Sequence, residues 1–222
     1  MSDSVRQKNL AGNGAMLVRE RAIARTVQTA LERLYQIEEG PPVEPFVMLA
    51  DEGEREALFF RQSEEGDLEI AVRLPPLRDE SSERKAGLEI DSLCQIIEGV
   101  SHFVMIAERS RAERETTQLE LEMQAEVDKY VVLATAIARP HGTLDVARSH
   151  RLRAQLYDDV LFSHAATTEI GIRYRLANDT AARFVRRLER EFVSTGRVHE
   201  MRGALRRFFS GGQEEKLRLA AA

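Results

Sequence analysis

The chain has 222 residues, 43% hydrophobic and 31% charged, with no tryptophan and 6% aromatics. That balance describes a folded chain with an aliphatic core and excludes a disordered one. The net charge of −5 is uneven: residues 139–222 hold 16 Lys+Arg against 10 Asp+Glu, a balance of +6, which leaves −11 for residues 1–138.

Residues 1–14 are short, polar and contain Gly12 and Gly14, the composition of a flexible tail. No apolar signal core opens the sequence, and the longest unbroken apolar run, 130–138, is far short of the ~20 residues of a membrane span. A cytoplasmic protein with no membrane partner is therefore expected. Its single cysteine excludes an internal disulfide and a cysteine-based zinc site.

A helix is expected over 15–38, with Ile23, Val27, Ala30 or Leu31, Leu34 and Ile37 on one face. Gly40, Pro41 and Pro42 stop it. Three strand-like runs follow at 46–50, 57–62 and 67–74. The last alternates Leu68, Ile70, Val72 and Leu74 against polar or small residues, the mark of a half-buried strand. Glycine-containing turns of about four residues between the runs predict a three-stranded antiparallel meander. Residues 77–87 are polar and linker-like.

Residues 88–138 carry the densest apolar periodicity. A first helix is expected from an N-cap at Ser92, with Gln95 at the capping-box spacing. Its stripe is Leu93, Ile96, Ile97, Val100, Phe103, Val104 and Ala107. Gly99 lies at the stripe's edge, where another backbone can come close. After a charged turn at 109–115, a second helix is expected from Thr117, with Glu120 three residues on, and Pro140 with Gly142 ends it. A weaker helix covers 143–162. Ile170, Tyr174, Ala177, Ala181, Phe184 and Leu188 then step by four and three like a coiled-coil seam. A short helix follows at 198–209, and 211–222 reads as a second flexible tail.

These elements predict an α+β fold, a mainly helical bundle with a small antiparallel sheet near the N-terminus. It forms one domain over 15–210, made of the helix and meander at 15–76, the loop at 77–87 and the helical body at 88–210.

No motif names a reaction. Glu98 with His102, and Glu122 with Glu126, are one helical turn apart, but di-metal bundles space Glu and His three apart. The wheel also turns Glu98 and His102 away from the apolar stripe, towards solvent, so neither a metal nor another cofactor is expected. Cys94 and His102 are about 12 Å apart along one helix, too far for a dyad. Glu126 stands inside the apolar stripe of its helix. It either reaches outward past Lys129, pairs internally with an arginine, or marks a site assembled from distant residues.

Arg175, Arg183, Arg186 and Arg190 share the face opposite the seam, with Arg187 at its margin. Arg202, Arg206 and Arg207 continue the basic character on the next helix. Arginine favours bidentate contacts to carboxylate or phosphate. The expected function is a non-catalytic interaction or regulatory module that presents helical surfaces to a protein partner, a second copy in a homodimer being one form of it. The alternatives are a nucleic-acid binder using the arginine face and an enzyme built around Glu126.

Overall fold

The alternating run at 68–74 becomes the centre of the sheet, not its edge. In the computed structural model, which describes residues 3–38, 40–51, 54–62, 68–77 and 86–222, β1 (Val47–Leu49), β2 (Ala57–Gln62) and β3 (Leu68–Leu74) lie in the order β1-β3-β2. β2 pairs antiparallel with β3, as Leu58 opposite Val72 shows. β1 pairs parallel with β3, Val47 opposite Val72 and Leu49 opposite Leu74, and the ladder continues from the Ala50 N–H to the Leu74 carbonyl at 2.8 Å. The sheet is thus mixed, and the expected antiparallel meander is corrected. Seven residues separate β1 from β2, enough chain to span the roughly 10 Å of two strand spacings. β3, with Val72 and Leu74 fully buried, takes the place between them. The turn expected at 63–66 and most of the loop expected at 77–87 lie outside the described residues.

The described helices are α1 (Asp3–Tyr35), α2 (Ala86–Arg111), α3 (Gln118–Ala138), α4 (Val146–Tyr157), α5 (Glu169–Leu188), α6 (Met201–Ser210) and α7 (Gln213–Ala221). The protein is a mainly helical α+β fold. It divides into two compact units, residues 1–29 with 41–103 and residues 30–40 with 104–222.

In the first unit, Ala24, Val27, Val43, Val47, Val72, Leu74, Ile96, Ile97, Val100 and Phe103 are buried. Gln28 ties α1 to the chain that follows it, donating to the Pro41 carbonyl and accepting from the Val43 N–H, both at 2.9 Å. A Cβ placed on Gly99 would lie 2.9 Å from Leu74 and 3.2 Å from Val72. The close approach expected at this glycine is therefore made by the side chains of β3.

The Ser92 cap does not form, because α2 already begins at Ala86. Gln95 instead donates to Asp91 at 2.7 Å and accepts from the Glu56 N–H at 3.1 Å. Every residue of 95–106 is buried. Glu98 and His102, expected to face solvent, are therefore buried too, since this stretch has no solvent face to receive them. The stretch Ile90–Arg111 is long and apolar enough to cross a membrane by length and composition, with mean hydropathy 1.3, although no single apolar run is long. Two-thirds of it is buried inside the protein, which is how a core helix satisfies the same test.

In the second unit, α3 begins as expected. Thr117 accepts from the Glu120 N–H at 3.1 Å and Glu120 accepts from the Thr117 N–H at 2.7 Å, a complete capping box. Ala177, Ala181, Phe184 and Leu188 of α5 are buried, whereas Ile170 at the start of the seam is exposed. Two terminal expectations change. α1 reaches back to Asp3 instead of starting after a tail, and residues 213–221 form α7, with Lys216, Leu219 and Ala220 buried.

Candidate functional site

Two faces of α5 follow opposite rules. Its buried face carries the expected seam. Its outer face aligns Ile172, Leu176, Asp179, Arg183 and Arg186, five exposed residues stepping by four and three, which at 100° per residue fall within about 80° of arc, and Arg190, also exposed, follows in the π-helical turn Glu189–Val193. Ile172 keeps 55% of its surface exposed and Leu176 37%. Thr168 fixes where the helix begins by accepting from the Gly171 N–H at 3.1 Å.

The structure splits the predicted arginine set into two groups. The side chains of Arg183 and Arg186 are exposed and make no hydrogen bond or ion pair among the described residues. Among the described residues the Arg190 side chain reaches only Glu191, at 3.6 Å, and it is 63% exposed. The others are occupied. Arg175 donates to the His164 and Gly171 carbonyls and lies 4.4 Å over the Phe162 ring. Arg187 bonds Glu191 at 2.9 Å and the Leu219 carbonyl at 3.0 Å, so it fastens α7 to α5. Arg206 donates from Nε to the Leu34 carbonyl at 2.7 Å, and Arg207 from Nε to Glu215 at 3.1 Å. Arg202 is exposed on α6. The outer face of α5 and the turn that follows it thus keep three arginines available to a partner, while Arg175, Arg187 and Arg206 hold the fold and Arg207 makes a surface pair with Glu215.

Glu126 is half-buried and bonds the Lys129 ammonium at 2.8 Å, one turn along α3. Its backbone carbonyl accepts from the Tyr157 hydroxyl, also at 2.8 Å. This is the neighbourly ion pair that the spacing allows. Cys94 is half-buried.

Two buried polar networks escaped the sequence. In the first, Ser149 donates to Glu189 at 2.6 Å, Tyr130 and Ser149 share a hydrogen bond of 2.7 Å, and Arg153 Nε bonds the other Glu189 oxygen at 2.9 Å. A serine, a carboxylate and the nearby His150 look like hydrolytic parts. However, Ser149 is fully buried and donates straight to the carboxylate, whereas a nucleophile needs an intervening base and an exposed oxygen. Burial and the Glu189 charge push the Tyr130 hydroxyl up to about 12 despite the Ser149 bond.

The second network joins α1, α3, α6 and α7. Lys216, with no exposed surface, donates to the Gln124 side-chain oxygen and the Phe208 carbonyl, both at 2.6 Å, and lies 4.3 Å from the Phe208 ring. Gln124 donates in turn to the Tyr35 hydroxyl at 2.9 Å and to Asp128 at 3.0 Å, and Tyr35 donates to Asp128. Burial pulls the Lys216 ammonium down to about 7, against the pull of Asp128. Burial and then the Asp128 charge hold the Tyr35 hydroxyl well above its usual value. No hydrophobic period could disclose these contacts, because three of the four side chains are polar at buried positions.

Comparison with family models, with curated proteins and with solved structures found no match.

Proposed function

We propose that the protein is a non-catalytic interaction module whose α5 outer face receives an acidic amphipathic helix from another protein. The observation that carries this reading is the single exposed line from Ile172 and Leu176 to Arg183, Arg186 and Arg190. Its four-three spacing is that of a helix-on-helix contact. The apolar start gives an incoming helix area to bury, and the three cations favour an acidic sequence along its remainder. A phosphate backbone would use the arginines but would leave Ile172 and Leu176 in water, and no exposed aromatic residue stands among them to stack on bases. That difference favours protein over nucleic acid.

The test is photo-crosslinking in cells from a benzophenone side chain at position 186. The expected product is one adduct with an acidic protein identified by mass spectrometry. It should be lost both in Ile172→Ser with Leu176→Ser and in Arg183→Glu with Arg190→Glu. An adduct with nucleic acid, an adduct with a second copy of this chain, or labelling indifferent to both double variants would overturn the reading.

A further inference from the structure

The ends of α1, α2 and α6 meet in the second unit around a cleft of about 350 Å³. Its lining includes Arg109, Arg114, Arg206 and Arg207, and the paired rings of Tyr35 and Phe209, stacked with centroids 4.2 Å apart. A helix C-terminus carries partial negative charge and unpaired carbonyls, so arginines gathered there have an ordinary structural role.

The donor count shows how far that role extends. Arg109 is committed to it: its Nη atoms donate to the carbonyls of Phe209, Ser210 and Gly211, at 3.2, 3.3 and 2.9 Å. Arg114 spends only Nη1, on the Ser210 carbonyl at 3.2 Å. Among the described residues, Arg206 spends only Nε, on the Leu34 carbonyl, and Arg207 only Nε, on the Glu215 carboxylate. Each guanidinium has five N–H donors in a rigid fork. Three arginines on one cleft therefore keep most of their donors after these bonds are made.

The acidic group on the same lining offsets them only in part: its charge favours the Arg109 cation, but its oxygens are taken up elsewhere. Glu108 is held by Arg111, with Nε at 3.1 Å and Nη2 at 2.9 Å from the carboxylate, and Arg111 also meets Glu38 at 3.4 Å. The crowding of cations registers on Arg109, whose guanidinium is lowered from its usual value first by burial and then by the Arg114 charge. An anion between these arginines would offset their mutual repulsion.

We infer that this cleft is a binding site for a compact polyanion of the phosphate-ester class. Arg114, Arg206 and Arg207 bind it, and Arg109 acts as a positioning residue that fixes the end of α6. Phosphate suits two forks from α6 and one from the turn between α2 and α3 because it offers several oxygens in a tetrahedral array, where a carboxylate offers two in a plane. The volume lies at the small end of ligand cavities, which sets the size of the guest. The site is separate from the α5 face and independent of the proposed partner.

The experiment is calorimetric titration of the full chain with pyrophosphate, with citrate and sulfate as parallel titrants. Pyrophosphate should bind saturably at one site per chain and at least tenfold tighter than citrate or sulfate. Arg114→Ser with Arg207→Ser should weaken it at least tenfold with the melting temperature little changed, because both side chains are exposed and neither anchors a core residue. Three outcomes would overturn the inference: no saturable pyrophosphate binding, citrate binding as tight as pyrophosphate, or full binding by the double variant. Should Arg114→Ser with Arg207→Ser fail to fold, Arg207→Glu alone carries the same expectation.

Discussion

A buried carboxylate depends on its hydrogen-bond donors, and Asp128 is such a group. Tyr35 and Gln124 both donate to it. Removing one of them leaves a buried carboxylate short of a donor, which costs about 1–3 kcal/mol. Tyr35→Phe should therefore lower stability by that amount in urea unfolding while keeping the ring stacked on Phe209. An unchanged midpoint would mean that Asp128 is satisfied without the phenol. Gly99 makes a steric case at the same scale. Alanine there gains up to about 1 kcal/mol of helix propensity, but its Cβ would sit 2.9 Å from Leu74 and force a shift in a packed layer, an overpacking cost of about 1–3 kcal/mol. Gly99→Ala should be destabilising on balance, and a raised melting temperature would show that β3 yields freely.

Helix boundaries were legible in the sequence where a side chain writes them and illegible where packing does. Thr117 and Glu120 announced α3 through a reciprocal cap that forms locally. Ser92 and Gln95 showed the same letters, yet α2 runs through them from Ala86, and Gln95 serves Asp91 and Glu56 instead. The buried side of α5 followed from its period; the division of its arginines between partner-facing and fold-holding positions did not, since it depends on carbonyls brought from distant helices. α7 was missed because its anchor is a lysine, a residue whose burial no hydropathy pattern predicts. The start of α5 offers a direct check on how tightly such an element is seated. A Cβ on Gly171 would fall 2.0 Å from the Ala165 carbonyl oxygen, backbone that cannot swing aside like a side chain. Gly171→Ala should cost at least about 2 kcal/mol by displacing the Thr168 cap. A variant melting with the parent would show that residues 165–168 do not hold that course over the helix.

At the scale of the molecule, three buried titratable groups of the second unit set how stability answers to alkaline pH. Lys216 lies at about 7 when folded and near 10.5 when unfolded, so between these values the unfolded chain binds more protons. Stability must then rise with pH across that interval. Tyr35 and Tyr130 act in the opposite direction at higher pH. Each is raised above 10.0 by folding, so above about pH 10 the unfolded chain releases protons that the folded chain keeps, and stability falls. Together they place a maximum between the two regimes, unusual because folded proteins tend to be most stable between about pH 5 and 8. Denaturant unfolding from pH 7 to 11 should show stability climbing by on the order of a few kcal/mol and then declining. Lys216→Met should flatten the climb and leave the decline above pH 10 intact, because that decline belongs to the tyrosines. A climb that survives the substitution would assign it to groups other than Lys216 and leave the buried ammonium without a measurable charge penalty. The flattening, by contrast, would make α7 an element held by a lysine whose neutral form the fold prefers.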